Sequence, residues 1–445
     1  MARWLVRFSA SAAILVVVVL MAGATSPSAL GTAPTPPLVL AAHLMTPTVK
    51  AVKVGSDPVD ELYDPDNHYV YVADAASNTV SAIDSTTLKV TPITVKSPEL
   101  LTYDPKDKDV YAENSFQNTE TVINPTNGIA KNVTLPGLAW TQVYDPATGA
   151  VYVEVEKTTA PVGYELSEIN STTFALTNVK IPSPAIELTY DNASTSLVAT
   201  GLESNNITVI SSTNVVTTVK LTTGIWPFFA VYNPDDKDLY ITDIGESSTG
   251  MTKTANVTVL SKANKIVATI KTGAGTFYGA YDPSSHDIYE VNVGHYVVGK
   301  PYPKSTVSII GTNNKVAATL TLGKYCVIPT YNPVNGEMYI SCPASNQTFA
   351  IDSSTNAIAN KITTPQSATA SLYDPALGDQ VAIGDSTFFD NASTARTVAT
   401  LIPSSNTGTS KVTLGQGPVG DVLYDPSDSG LWVTNLGAKS VSVLL

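Results

Sequence analysis

From Thr48 to the C terminus, apolar and polar residues alternate in short runs, each ended by a cluster of Asp, Pro, Asn, Ser or Gly. In the run His68-Tyr69-Val70-Tyr71-Val72-Ala73-Asp74 the tyrosines and valines alternate, a period-two pattern that predicts a strand. The first unit reads as a strand at 59–63, a turn at Asp64-Pro65-Asp66-Asn67 and a second strand at 68–73. A loop at 75–78, a third strand at 79–84 and a fourth at 89–95 complete it. Asp at the first turn position and Pro at the second suit a type I turn, because the proline ring presets φ.

The unit then repeats. Tyr-Asp-Pro stands at Tyr63, Tyr103, Tyr144, Tyr281, Tyr373 and Tyr424, with near-copies at Tyr190-Asp191-Asn192, Tyr232-Asn233-Pro234 and Tyr331-Asn332-Pro333. These nine tyrosines recur about every 45 residues, a spacing that suits four-stranded propeller blades. The pattern predicts an all-β chain forming a single β-propeller of nine four-stranded blades; seven or eight blades with irregular insertions is the alternative. The last repeat supplies only three strands, at 422–424, 431–435 and 440–445, whereas Thr48–Val54 is a strand with no blade of its own. The N-terminal strand is therefore expected to complete the last blade and close the ring, removing two exposed edges.

Leu431-Trp432-Val433-Thr434-Asn435, followed by Ser440-Val441-Ser442-Val443, resembles the YVTN repeat of surface-layer-type β-propellers. Tyr71-Val72-Ala73-Asp74 with the run 78–84 is a second match, and the resemblance covers 48–445. It implies an exported or cell-surface protein, of a kind common in archaea and bacteria, and specifies blade architecture rather than a task. The Asp-Pro turn departs from the Pro-Asp-Gly turn of many such repeats.

The N-terminal segment points to export independently. Arg3 and Arg7 precede an apolar run from Ala12 to Met21, and small residues follow at Ala22-Gly23-Ala24. This reads as a signal peptide over 1–25, short for a membrane span; an uncleaved membrane anchor is the alternative. Residues 26–47, rich in Pro and Thr, read as an extended linker, leaving 48–445 as the propeller. Seven Asn-x-Ser/Thr sequons, at Asn132, Asn170, Asn192, Asn206, Asn256, Asn346 and Asn391, are candidate glycan acceptors on an exported chain.

The net charge of −13 argues against nucleic acid as a partner, since phosphate binding needs a basic patch. Cys326 and Cys342 are the two cysteines and lie equidistant from the turn at 332–337. Residues so placed in an antiparallel hairpin face each other, which predicts a disulfide across the first two strands of the seventh blade. His43, His68, His286 and His295 have no spacing that suggests zinc, and the sequence implies no cofactor. The acidic turns at 104–109 and 235–238 raise calcium, but lysines interrupt them and an EF-hand's glycine and closing glutamate are missing.

No nucleophile-elbow, metalloprotease or phosphate-loop motif stands out. The repeats are irregular instead in the loops at 154–165, 243–255 and 292–305, which belong to the third, fifth and sixth units. The blade connections of the same units carry Trp140, Trp226-Pro227-Phe228-Phe229 and Phe277-Tyr278, and the sixth loop adds Tyr296 and Tyr302. Aromatic platforms framed by loops suit stacking on a sugar or contact with a protein, while aromatic rings also fill gaps between blades. The candidate binding residues are thus Trp140, Trp226, Phe228, Tyr278, Tyr296 and Tyr302. The expectation is a non-enzymatic, extracellular scaffold or adhesion module that binds an envelope polymer, glycan or protein, or itself. An extracellular lyase or lactonase-like hydrolase, and a subunit of a surface array or filament, are the alternatives.

Overall fold

The computed structural model describes residues 47–445, apart from 116, 202–203, 222–225, 248–249, 252–254, 297–299, 365–366, 386–395, 418 and 437. The signal and linker expectations, and the sequon at Asn391, lie outside the described residues. Nine four-stranded antiparallel sheets follow one another along the chain, so the anchor tyrosines counted the blades correctly. Blade 1 consists of Pro58–Asp64, Tyr69–Asp74, Thr79–Asp84 and Val90–Thr94. Blades 2 to 8 span 98–134, 138–181, 187–220, 227–271, 276–324, 329–363 and 367–416. Blade 9 has Val419–Asp425, Gly430–Asn435 and Ser440–Leu444, and Val49–Lys53 joins it as the fourth strand. Val49 pairs with Leu444 and Lys53 with Ser440, and Thr48 and Leu445 exchange hydrogen bonds at 2.8 and 2.9 Å. The ring is closed by strand pairing between the two ends of the chain, as expected.

The repeated turn explains the repeated sequence. In all nine blades the Asp or Asn after the anchor tyrosine accepts, through Oδ1, the backbone N–H two residues on. The distances run from 2.7 Å at Asp425 to 3.0 Å at Asn233. The fourth residue after each Asp or Asn has a positive φ, from Thr195 at 51° to Gly378 at 70°. This left-handed residue extends the expected type I turn and returns the chain in register. His68 and His286 occupy two of these positions.

The core lies between blades. Second and third strands are buried on both faces, while fourth strands are mostly exposed. Tyr71 and Ala73 of blade 1 pack with Leu101, Val110 and Ala112 of blade 2. Val198, Ile207 and Val209 of blade 4 meet Ala230, Leu239 and Ile241 of blade 5 in the same way.

A hydrogen bond crosses this packing at a repeated place. The second-strand tyrosines Tyr71, Tyr152, Tyr240, Tyr289 and Tyr339 donate to the Oδ1 of Asn127, Asn214, Asn314, Asn356 and Asn406 at 2.6–3.0 Å. Each asparagine sits with positive φ in the turn between the third and fourth strands of the following blade. In three cases the asparagine amide donates in turn to an acid of the tyrosine's own blade: Glu168, Asp287 or Glu337. Where the pair is lost, one or both partners change. Trp432 and Leu88 share one apolar cluster, and Tyr111 and Phe174 share another. Val198 replaces the tyrosine on blade 4, and the buried Asn264 Oδ1 of blade 5 has no hydrogen-bond partner there.

Cys326, just before the first strand of blade 7, is bonded to Cys342, the last residue of its second strand, with S–S at 2.01 Å. The Val327 N–H donates to the Ser341 carbonyl at 2.9 Å beside it, and the Cys326 N–H donates to Ser305 Oγ of blade 6 at 3.0 Å.

Two stability measurements test this architecture. Tyr240→Phe removes the donor to Asn314 and is expected to cost about 1–2 kcal/mol in chemical denaturation, because a buried acceptor is left unmatched. Replacing both cysteines by serine opens a loop with a sequence separation of 16. The loss expected from chain entropy is about 3 kcal/mol.

Candidate functional site

The loop face of blades 5 to 7 carries an aromatic cluster. Phe228 and Phe277 meet edge to face at 5.6 Å between centroids, and Phe229 and Tyr278 do so at 6.2 Å. These four rings are 2–8% exposed, so Phe228 and Tyr278 belong to the apolar core and serve as a base rather than as contact surface. Tyr296 and Tyr302, from the long loop of blade 6, stack nearly parallel at 4.7 Å and 16°, and both are half-buried. Tyr302 meets Tyr325 edge-on at 4.8 Å, and Tyr325 is 4% exposed. Burial, with Tyr296 alongside, pushes the Tyr302 hydroxyl up to about 12. The structure therefore brings together Phe228, Tyr278, Tyr296 and Tyr302.

Trp226 and Trp140 stand outside this cluster. Trp226 is half-buried with φ at 62°, and its backbone is tied to Ser204 and Ile244 at 3.2 Å each. Trp140 is half-buried at a bulge in the first strand of blade 3, where the register slips between Ala139 and Thr141. Tyr325 was missed by sequence reading. Its signal was an aromatic residue on the connection into blade 7, the place that Trp226 holds before blade 5.

Sequence reading also missed a belt of buried carboxyl groups. Bulges in the first strands re-aim side chains across the blade seams. Asp60 Oδ2 accepts the Leu101 N–H of blade 2 at 2.7 Å, and Glu187 similarly receives the Ala230 amide of blade 5. Burial pushes Glu187 up to about 8 and Asp243 up to about 7. Glu290 of blade 6 is raised well above the usual range by burial and then by the Asp243 charge. Its carboxyl fills the space beside Gly279, where a Cβ would lie 2.6 Å from Glu290 Oε1. In blade 2, Glu113 pairs directly with Glu120 across two strands, both with no exposed surface, and burial followed by the Glu113 charge raises Glu120. A glutamate in the middle of a second strand, as at Tyr289-Glu290-Val291, was the available signal.

The acidic turns hold blade to blade. Lys108 bridges to Asp66 at 2.8 Å, Tyr103 donates to Asp66, and Tyr281 donates to Asp235 beside His286. Among the described residues, no group of three or more His, Cys, Asp or Glu side chains is arranged to hold a metal ion. Of the sequons, Asn132, Asn170, Asn192 and Asn346 are exposed, whereas Asn206 and Asn256 are half-buried at the start of third strands.

No protein-family model matches the sequence, and no curated protein matches it. Among solved structures the chain is similar to the dihydro-heme d1 dehydrogenase NirN, with TM-score 0.52, 13% identity, and coverage of 76% of this chain and 77% of that one. It is also similar to virginiamycin B lyase from Staphylococcus aureus, at TM-score 0.47 and 12% identity over 90% of this chain and 99% of that one. Hydrazine synthase from Kuenenia stuttgartiensis gives TM-score 0.44 and 13% identity, over 80% and 96%. At such identities the likeness extends to the fold alone: this chain is a nine-bladed β-propeller.

Proposed function

We propose that this chain is an exported, non-enzymatic β-propeller of the cell surface that binds an envelope polymer, glycan or protein on the loop face of blades 5 to 7. The observation that carries this reading is the stacked pair Tyr296–Tyr302, half-buried on a base of Tyr325, Tyr278 and Phe277. Rings already held by their neighbours lose little freedom on binding, so their remaining open surface is well suited to stack on a sugar ring or a partner's apolar side chain. Export is supported by the N-terminal Arg3/Arg7 and apolar run, and by a disulfide of the kind that persists in oxidising compartments. The repeats' resemblance to YVTN propellers supports a place in the surface layer or in adhesion, with self-association into an array as one form of it.

The test is sedimentation of the purified protein with the isolated, protein-stripped cell envelope. The wild-type chain is expected to co-sediment, and Tyr296→Ala with Tyr302→Ala to weaken binding at least about tenfold, the order expected for losing two aromatic contacts. Retention of full binding by that double variant would remove the site. Turnover of a lactone or uronate substrate by the wild-type chain would replace the reading with an extracellular hydrolase or lyase.

A further inference from the structure

The seam that closes the ring joins blade 1 to blade 9, and three carboxyl groups meet there. Asp60 and Asp421 occupy the same place, three residues before their anchor tyrosines. Their strands pack against each other across the seam, and the two carboxyl groups come within interaction range of each other. Each is also fixed by backbone: Asp60 Oδ2 accepts the Leu101 N–H at 2.7 Å, and Asp421 Oδ1 accepts the Val422 N–H at 2.8 Å. The Glu61 carboxyl, 3% exposed, lies against the Leu423 backbone on the far side of the seam. Two carboxyl groups form a hydrogen bond only when one of them carries a proton. Bringing the two acids together in a buried seam therefore favours a shared proton over two ionised groups.

Among the described residues, the strands packed against these carboxyl groups carry no cation; from blade 8, Ser367–Asp374 and Asp379–Asp385 bring Tyr373, Asp374 and Asp379. On the strand of Asp60 the neighbouring ionisable groups are Glu61, Tyr63 and Asp64, and on the adjacent strand Tyr69–Asp74 they are Tyr69, Tyr71 and Asp74. The first strand of blade 2 contributes Glu99, Tyr103 and Asp104, and that of blade 9 contributes Tyr424 and Asp425. The second strand of blade 9, Gly430–Asn435, and the short turn Ala75–Ser77 have no ionisable side chain. Not one lysine, arginine or histidine stands on any of these elements.

We propose that the seam is a proton-dependent clasp: neutral carboxyl groups hold the first blade to the last in acid, and their ionisation loosens ring closure as the pH rises. The molecule is accordingly suited to an acidic exterior. The electrostatics agree with the geometry. Burial raises Asp60 well above the usual carboxylate range, with the Asp421 charge adding to it, and burial with the charges of Asp421 and Asp60 does the same for Glu61. Asp421 is raised too, by burial. In the unfolded chain these groups ionise near pH 4, while in the folded chain they hold their protons to higher pH. Their contribution is thus fully present below about pH 4 and is lost as the pH rises towards the folded values. Asp243 with Glu290, and Glu120 with Glu113, repeat this chemistry at other places in the ring and add to the same slope.

Thermal unfolding followed by circular dichroism from pH 3 to pH 8 tests the clasp. The Tm of the wild-type protein is expected to fall by roughly 5–10 °C between pH 4 and pH 8, the size expected from several raised carboxyl groups in a chain of this length. Asp60→Asn keeps a donor towards Asp421 without a titrating proton, and is expected to flatten that slope visibly. Hydrogen exchange on the wild-type chain supplies a measurement that needs no variant. Amides of residues 49–53 and 59–64 should lose protection at pH 8 relative to pH 5, after correction for intrinsic rates, more than those of blade 4. A Tm that is flat or rises with pH would overturn the proposal. So would an Asp60→Asn variant that keeps the full slope, or seam protection that is independent of pH.

Discussion

The hydrogen bond between a buried tyrosine of one blade and a left-handed asparagine of the next is the contact on which the regularity of this ring depends. Blade-to-blade packing in a propeller is otherwise apolar and tolerant of sliding, because aliphatic side chains specify distance better than position. At five of the nine seams, a phenol that must find one amide oxygen at 2.6–3.0 Å fixes the rotation of one blade against the next. The exceptions follow the same logic. Trp432 faces Leu88 and Tyr111 faces Phe174, so the contact becomes apolar on at least one side, whereas Val198 leaves Asn264 unmatched. The seam between blades 8 and 9 has no such turn to use, because blade 9 receives its fourth strand from the other end of the chain.

The second constraint is the sign of the interior polar groups. A chain with charged residues at only 14% places a substantial share of its carboxyls in the seams, where burial favours the protonated form. A buried pair of acids costs little while it shares a proton and much once both ionise. Tight packing, a closed ring and acid groups in its joints then belong together. They also agree with the exposed acids of the turns, such as Asp66 and Asp235, which are held low by hydrogen-bond donors and stay charged in weak acid.

Much of the fold was legible in the sequence because it is encoded locally. Asp64 or Asn332 closes its own turn, with a partner two residues away, so the nine anchors could be counted by eye. Cys326 and Cys342 were symmetrical about one such turn, and the orphan strand at 49–53 matched the missing strand of the last blade. What remained hidden depends on neighbours far along the chain. Asn314 looks like any turn asparagine until Tyr240, 74 residues away, is seen to reach it. Asp60 and Asp421 lie 361 residues apart, and only ring closure brings them together. In the aromatic patch, residue type identified the region. Whether a ring was base or surface turned on its place, with Phe228 and Tyr278 on inner strands and Tyr296 and Tyr302 on a loop.

The proposal that the nine-bladed ring works outside the cell is tested most directly by electron cryo-tomography of the native envelope. With the chain labelled by a bound antibody fragment, subtomogram averages should show nine-spoked discs on the outer side of the membrane. Label confined to the cytoplasm, or discs with seven or eight spokes, would contradict it.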